Sequence, residues 1–165
     1  MNILSFDPAL TTGWASLWHE MGEPIHIVSS GSFTLAKAGF GERMWDFSLR
    51  VGDLIILLKP TFVIAEEVTF AAKKGNHQVR RLHSGLRAII ALQTWKRRGM
   101  EANFMAASSA RKTIGVGGGA SKDEVAQHLK SMGLVEEQPV DWGNDNISDA
   151  IALGVALIKE IERDK

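Results

Sequence analysis

The first fifteen residues constrain the fold most. They contain an apolar strand that ends in a carboxylate, and a proline directly after it forces the chain to turn. Residues 2–6 form an apolar run with an aromatic residue and no breaker, which is typical of a β-strand. Asp7 and Pro8 follow at once, and Pro8 cannot donate a hydrogen bond to a sheet and restricts the residue before it. A carboxylate at the end of a buried strand is costly unless a positive group meets it. Asp before Pro is also a common turn starter, so Asp7 is either a turn residue or a functional acid.

Composition indicates one domain with enough apolar residues for a core. The chain has 165 residues, of which 45% are hydrophobic, and we expect a single domain over residues 1–165. The absence of cysteine excludes a disulfide framework and a thiolate metal site. Asp7 interrupts the N-terminus before any apolar stretch of signal-peptide length, and no run is long enough to span a membrane. We therefore expect a soluble, cytoplasmic protein.

Charge is unevenly distributed, although the formal net charge is zero. Residues 73–112 hold ten basic residues and one acid, whereas residues 133–165 hold eight acids and three bases. A basic middle and an acidic tail suit a protein that binds a polyanion and holds metal ions with carboxylates. Solvated helix faces would produce the same distribution, so charge alone does not decide.

Hydrophobic periodicity predicts an α/β fold, a five-stranded mixed sheet flanked by helices. The predicted strands cover residues 2–6, 14–19, 25–34, 61–65 and 102–107. The predicted helices cover residues 42–58, 76–98, 122–132 and a final segment that opens within 144–149 and continues to 158. Short connections between the first three strands favour an antiparallel meander. In the second helix, the side chains expected to face the core are Val79, Leu82, Leu86, Ile89, Ile90 and Leu92.

A second acid follows a core strand in the same way as Asp7. Residues 61–65 are almost wholly apolar, as in a buried central strand, and lead directly into Glu66 and Glu67. If this strand lies parallel to the first, the two acids meet at one edge of the sheet, where open α/β sheets place their sites. We expect Glu66 to be functional and Glu67 to begin a solvated loop.

A third acidic group opens the last helix. Asp145 and Asp149 are four residues apart and Asn146 and Asp149 three apart, so both spacings place side chains on one helical face. Asp145 or Asn146 would also serve as an N-cap. Almost everything after Asp149 is apolar or small, and an unpaired carboxylate there is expensive. We therefore favour a metal-binding role for Asp149.

Basic side chains supply a second type of candidate site. The polar face of the second helix and the segment before it would contact phosphates through Lys73, Lys74, Arg80, Arg81 and Arg87. Residues 114–122 contain four glycines, which would cradle a phosphate or simply form a flexible loop, with Arg111 and Lys122 at its flanks. This segment lacks the Walker A spacing.

The three acids suit hard divalent cations, because Mg²⁺ takes oxygen ligands and keeps several waters. Together the motifs resemble the RuvC-type Holliday-junction resolvases of the RNase H-like superfamily, over roughly residues 1–160. Residues 6–13 are similar to the opening motif of that family, and residues 64–74 to its second-acid strand and following loop. Residues 111–122 are similar to its basic, glycine-rich segment, and residues 149–152 to its final acid at a helix start. The chain looks more like phage or divergent bacterial members than the main bacterial form.

The resemblance implies an RNase H-like fold and a Mg²⁺-dependent endonuclease for branched DNA, with two ions per site and Mn²⁺ as a substitute. The catalytic residues would be Asp7, Glu66, Asp145 and Asp149, and the metal ligands Asp7, Glu66, Asn146 and Asp149. Arg111 and Lys122 would contact phosphates near the scissile bond. A homodimer with two sites is also implied.

The chain departs from the family pattern at two places. Asn146 stands where the family commonly has a carboxylate or histidine, so Asp145 or Asn146 would supply the fourth ligand. Thr69 holds the place of the aromatic residue that stacks at the junction centre, and Phe70 follows as the candidate wedge.

Two other functions fit parts of the sequence. An actin-like or sugar-kinase-like ATPase also ends its first strand in Asp before a Thr-Thr-Gly turn like that of residues 11–13, although such proteins need two such domains. A non-catalytic DNA-binding module that keeps the fold is favoured by Asn146. ATP binding would support the former, and metal titration would decide the latter.

Overall fold

The structure, a computed structural model, describes residues 1–36, 39–67 and 77–165. Phe70, Lys73 and Lys74 lie outside the described residues. Within them the strands are β1 (Asn2–Asp7), β2 (Thr11–Trp18), β3 (His26–Thr34), β4 (Phe62–Glu66), β5 (Asn103–Met105) and β6 (Val135–Glu136). The helices are α1 (Phe40–Leu58), α2 (His77–Arg98), α3 (Ala107–Ile114), α4 (Lys122–Ser131) and α5 (Asp145–Arg163).

The strands form one mixed sheet in the order β5-β4-β1-β2-β3-β6. β1, β2 and β3 pair antiparallel, which confirms the predicted meander. β4 lies parallel to β1, with Phe6 opposite Ala65, and β5 lies parallel to β4. The carboxyl ends of β1 and β4 therefore meet at one edge of the sheet, as predicted. The α/β class is confirmed.

The two faces of the sheet carry separate cores because side chains alternate along each strand. Ile3 and Ile64 pack in one core with α3, α4 and α5. Leu4 and Val63 pack in the other with α1 and α2. Continuing this alternation by two-residue steps places Asp7 and Glu66 on the α5 face of the sheet.

The structure has one strand more than predicted. This strand, β6, pairs parallel with the first two residues of β3. It lies between the third and the final predicted helix, in a segment to which no helix or strand was assigned. Two residues are too few to show an alternating pattern, and both are exposed, so the sequence carries no signal for this edge strand.

A further helix, α3, occupies the residues between the predicted fifth strand and the glycine-rich segment and overlaps each by one residue. It ends at Gly115, whose φ is 104°, with the Gly115 N–H donating to the Lys112 carbonyl and the Val116 N–H to the Arg111 carbonyl. This pair of hydrogen bonds defines a Schellman motif, which requires a residue in the left-handed backbone conformation. Gly115 is thus a helix terminator, and the first half of the segment is not a flexible loop.

α2 is oriented differently from the prediction. Leu86 and Ile90 are buried, but Val79 and Leu92 are 49% and 60% exposed. Gln93 and Thr94 are buried instead, because Gln93 donates to the Ser48 hydroxyl and Thr94 to its own helix at the Ile90 carbonyl. The end of α5 lies at Arg163, five residues beyond the predicted end at 158, and the remaining predicted element bounds differ by three residues or fewer. In the described ranges no helix is long and apolar enough to cross a bilayer.

Candidate active site

Three predicted acids meet at the carboxyl edge of the β1–β4 pair. Asp7 ends β1, Glu66 ends β4, and Asp149 comes from the second turn of α5. The Asp7 and Glu66 side chains share a hydrogen bond, and the charge of Asp149 acts on Asp7. The parallel register and the packing of α5 across β1, β2 and β4 place the three carboxylates together.

Asp7 is the most perturbed acid of this cluster. Burial raises the pKa of its carboxyl most, followed by the hydrogen bond and negative charge of Glu66 and by the charge of Asp149, while Lys122 lowers it. The resulting pKa is about 8. At neutral pH and without a bound cation the Asp7 carboxyl therefore stays mostly protonated, because burial and the neighbouring acids disfavour its charge.

The position of α5 depends on a close contact with Gly13 of β2. A β-carbon at residue 13 would lie 1.9 Å from the Asn146 carbonyl oxygen, so only glycine fits here. Asn144 caps the helix by accepting from the Asn146 N–H at 3.2 Å, and it donates to the Ser32 hydroxyl at 3.0 Å. The cap is therefore Asn144 and not Asp145 or Asn146, because Asn144 is the residue just before the first helical turn.

Two cations contact Asp149. Arg111 Nη2 lies 3.5 Å from Asp149 Oδ1, and Lys122 Nζ lies 3.5 Å from Asp149 Oδ2. Lys122 Nζ also lies 3.6 Å from Asp145 Oδ2, which shows that Asp145 and Asp149 share a helical face as predicted. Arg111 Nη1 donates to the Ala120 carbonyl at 3.0 Å, which holds the guanidinium against the loop before α4. Both predicted basic residues are thus brought to the acids.

The donors present fit a hard divalent cation in their chemistry. All are carboxylate oxygens, and the raised pKa of Asp7 shows that an added positive charge would stabilise its ionised form here. As the side chains stand, no three acids or histidines in the described ranges converge on one point. Asp149 is held by Arg111 and Lys122, so binding a cation would require Asp149 to exchange these partners for it.

The other predicted phosphate contacts among the described residues lie on α2. The Arg81 guanidinium stacks on the Phe40 ring at 4.3 Å from its centroid. Arg87 Nη2 pairs with Glu67 Oε1 at 2.8 Å. Arg80 lies in the first turn of α2. The structure brings none of these three into the hydrogen-bonded acid cluster, so their role in DNA binding stays a prediction.

The residues of the Thr-Thr-Gly turn make contacts within the protein. The Thr12 hydroxyl donates to the Ala9 carbonyl at 2.8 Å, and Thr11 bonds the Thr34 hydroxyl at 2.9 Å. Gly13 takes the α5 contact described above. Sequence reasoning missed this contact and the Asn144 cap, although a glycine inside a strand is a recognised sign of close backbone approach. With these contacts made, Thr11, Thr12 and Gly13 do not form a phosphate-binding turn.

We predict that, without divalent cations, Asp7 makes the protein less stable as pH rises from about 4 to about 8. The folded-state pKa of Asp7 is raised from 3.8 to about 8, so between these values the folded state binds the proton that the unfolded state has lost. Each pKa unit is worth about 1.4 kcal/mol, so the loss is on the order of a few kcal/mol.

Urea unfolding in EDTA at pH 5 and pH 8 measures this effect. Wild type should lose more stability over this interval than Asp7→Asn, which has no proton to release. Equal pH slopes for the two proteins would show that Asp7 does not titrate as described.

Comparison with known proteins assigns the chain to a family. A family model described as crossover junction endodeoxyribonuclease RuvC matches residues 3–157. No curated protein sequence matches significantly.

The fold is similar to that of Thermus thermophilus RuvC, with a TM-score of 0.78 and 15% identity, covering 99% of this chain and 97% of that one. For T. thermophilus RuvC in complex with Holliday junction substrate the TM-score is 0.79 at 14% identity, with 99% and 96% covered. The yeast mitochondrial Holliday junction resolvase Ydc2 gives a TM-score of 0.70 at 13% identity, with 95% and 77% covered. The family match spans nearly the whole chain and the described fold agrees with it, so the chain belongs to the RuvC family of crossover junction endodeoxyribonucleases.

Proposed function

We propose that this RuvC-family nuclease hydrolyses phosphodiesters of four-way DNA junctions at Asp7, Glu66 and Asp149, within a single domain over residues 1–165. The observation that carries the proposal is the parallel pairing of β1 and β4, which puts Asp7 and Glu66 at neighbouring strand ends, with Asp149 lining the same site as Glu66. Three acids from separate elements do not gather at a buried edge without a function or a cation to balance them.

Nucleases of this family generally depend on divalent metal ions. We infer that Asp7, Glu66 and Asp149 hold Mg²⁺, most simply two ions, and that Mn²⁺ substitutes because it accepts the same oxygen ligands. Such ions, when bound, activate a water and stabilise the leaving oxygen of a phosphodiester. The chain itself supplies the acids on fixed strand ends and the α5 turn that positions Asp149.

Arg111 and Lys122 are proposed to contact the phosphate next to the acids. In the free protein they neutralise Asp149 at 3.5 Å each. With a cation bound at Asp149, the Arg111 guanidinium and the Lys122 ammonium would be free to contact a phosphate oxygen. Lys122 is half exposed and begins α4, so its amine reaches solvent without unfolding the helix.

Asp145 is the better candidate for the additional ligand. Its carboxylate already shares Lys122 with Asp149, whereas the Asn146 backbone is fixed between Gly13 and the Asn144 cap. A carboxylate also brings the negative charge that a divalent ion needs and that an amide lacks. Asp145→Asn should therefore impair metal binding more than Asn146→Ala.

Branched DNA is proposed as the partner of this edge. Arg80 and Arg81 lie at the start of α2, and this part of the chain carries the basic excess found in the sequence. The same charge would place Lys73 and Lys74 on the phosphate backbone, with Phe70 as the stacking wedge.

Cleavage of a labelled four-way junction beside a duplex of matched sequence, with Mg²⁺ or with EDTA, tests the function. We expect Mg²⁺-dependent, symmetric nicks on the junction alone. Junction binding without cutting under Mg²⁺ or Mn²⁺ would instead support the non-catalytic module. Equal cutting of duplex and junction would contradict selectivity for branched DNA.

A homodimer is proposed because resolving a junction requires two cuts and each chain carries one acid cluster in its described residues. The outer sides of α1 and α2, packed side by side, offer the surface for a second copy. The exposed apolar residues there are Trp45, Leu49, Ile56, Leu92 and Trp95. Such a concentration of large apolar side chains is typical of an interface.

We predict that Leu92→Arg converts the dimer to a monomer and turns paired nicks into single, unpaired ones. Leu92 is 60% exposed, so the charge is tolerated in a monomer but not inside an apolar interface. Light scattering gives the mass, and strand mapping gives the nick pattern. Met21→Arg, on the exposed β2–β3 turn, is the matched control. A Leu92→Arg protein that stays dimeric would exclude this surface.

A further inference from the structure

We propose that Arg87 is a positioning residue that acts through Glu67, so that their ion pair fixes the end of β4 and holds Glu66 beside Asp7. This inference rests on the proposed function, and it replaces the phosphate contact predicted for Arg87. The observation is the Arg87–Glu67 pair at the residue next to a site acid.

Glu66 and Glu67 point to opposite faces of the sheet. Ile64 packs on the α5 face and Ala65 on the α1–α2 face, and side chains alternate along an extended strand. Glu66 follows Ile64 and lines the site with Asp149 and Arg111, whereas Glu67 follows Ala65 toward α2. The Glu67 N–H donates to the Met105 carbonyl at 2.8 Å, so the extended pairing with β5 continues one residue past Glu66.

Arg87 is held on this opposite face by two contacts. Its Nη2 lies 2.8 Å from Glu67 Oε1, and its guanidinium carbon lies 4.7 Å from the Phe104 ring centroid. Phe104 is on β5, directly opposite Ala65. Arg87 therefore ties α2 to the ends of both β4 and β5.

Little of the Arg87 guanidinium is accessible for a contact with DNA. Its side chain is only 26% exposed, and Nε is buried without a hydrogen-bond partner in the described part of the chain. Each charge of this partly enclosed pair depends on the other, because removing one partner leaves the other charge uncompensated. In turn, Arg87 neutralises Glu67 and keeps a spare carboxylate away from Glu66.

Removing either partner should disturb Glu66 in the same way. A shift of about 1 Å at a reacting group costs up to about 100-fold in rate. We expect Arg87→Gln and Glu67→Gln each to slow junction cleavage by about ten- to 100-fold at saturating Mg²⁺. Because both act through one pair, the double variant should be no slower than the worse single one.

The second readout is junction affinity in EDTA, which involves neither metal nor cleavage. Both variants should bind the junction within about twofold of wild type, with an unchanged salt dependence. A phosphate-contacting Arg87 predicts the reverse: Arg87→Gln would weaken binding and lower the salt slope by about 1, and Glu67→Gln would bind more tightly. That result would overturn the inference.

Arg50→Gln is the matched control. Arg50 pairs with Asp46 at 2.8 Å and stacks on Phe33 at 5.3 Å, the same two kinds of contact, but on α1. It should cleave and bind like wild type. If Arg87→Gln does not fold, Glu67→Gln decides alone, since wild-type cleavage by that variant overturns the inference. If wild type does not cleave the junction, the proposed function is refuted and the positioning role with it. If wild type cleaves and the Arg87→Gln and Glu67→Gln variants cleave much more slowly, both proposals are supported.

Discussion

Asp7→Asn should abolish junction cleavage, by at least about 1,000-fold, while making the metal-free protein more stable. Cleavage is lost because an amide does not supply the negative oxygen ligand that the cation requires. Stability rises because Asn still donates a hydrogen bond to Glu66 but has no charge to bury at a site where the pKa of Asp7 is about 8. Junction binding should be kept or strengthened, since one negative charge near the phosphates is removed.

Thermal unfolding in EDTA at pH 8, gel-shift titration of the junction and the cleavage assay measure these three effects. We expect a melting temperature several degrees higher, since about 1 kcal/mol corresponds to roughly 2–4 °C for a chain of this size. Asp164→Asn, at an exposed acid near the C-terminus, should match wild type in all three. A folded Asp7→Asn protein that cleaves normally, or that no longer binds the junction, would contradict the account.

Gly13→Ala should have the largest effect on stability, a loss of about 3 kcal/mol or more, because overpacking against backbone costs more than against a flexible side chain. The added β-carbon would lie 1.9 Å from the Asn146 carbonyl oxygen and 2.8 Å from the Ile147 nitrogen. Relief requires the N-terminus of α5 to move, and Asp149 moves with it. Cleavage should therefore fall even where the variant remains folded.

Urea unfolding gives the stability change, and cleavage at a temperature where the variant is folded gives the effect on the site. Gly41→Ala is the control, since a β-carbon there meets no atom within 4 Å and alanine favours the α1 helix. Gly41→Ala should be as stable as wild type or slightly more so. If Gly13→Ala were equally well tolerated, the close packing of α5 on β2 would be wrong.

The sheet edge was predictable because its signals are local and repeat. Two apolar runs each end in an acid, so parallel pairing of β1 and β4, which was the condition set by the prediction, brings the two acids to one edge. The spacing of Asp145 and Asp149 predicts a shared helical face, which their common contact with Lys122 confirms. Asp7, Glu66 and Asp149 are therefore brought together by rules of strand alternation and helix period.

Other features were not predictable because they depend on contacts between distant parts of the chain. The tight Gly13–Asn146 approach joins residues far apart in sequence. The partner of Arg87 is set by which way Glu67 points and by how α2 lies over β5. α3 was missed because its glycine ending looks like a loop until the Schellman bonds are seen.

Burial of α2 shows the same limit. The apolar residues Val79 and Leu92 were expected inside, yet the core side of the helix takes Gln93 and Thr94. Both polar side chains form hydrogen bonds within the protein, which offset the cost of removing them from water, and Leu92 lies on the outer surface instead. Hydropathy alone does not distinguish a core face from an interface face.

The central claim, that Asp7, Glu66 and Asp149 form one metal centre, is tested most directly by Mn²⁺ titration of the protein bound to a junction with non-hydrolysable backbone linkages at its crossover, with detection by electron paramagnetic resonance. Wild type and Asp164→Asn should bind the same number of ions with the same affinity. Asp7→Asn and Asp149→Asn should each lose at least one ion or bind at least about tenfold more weakly. Unchanged Mn²⁺ binding by both variants would show that the ions are held elsewhere and would contradict the account.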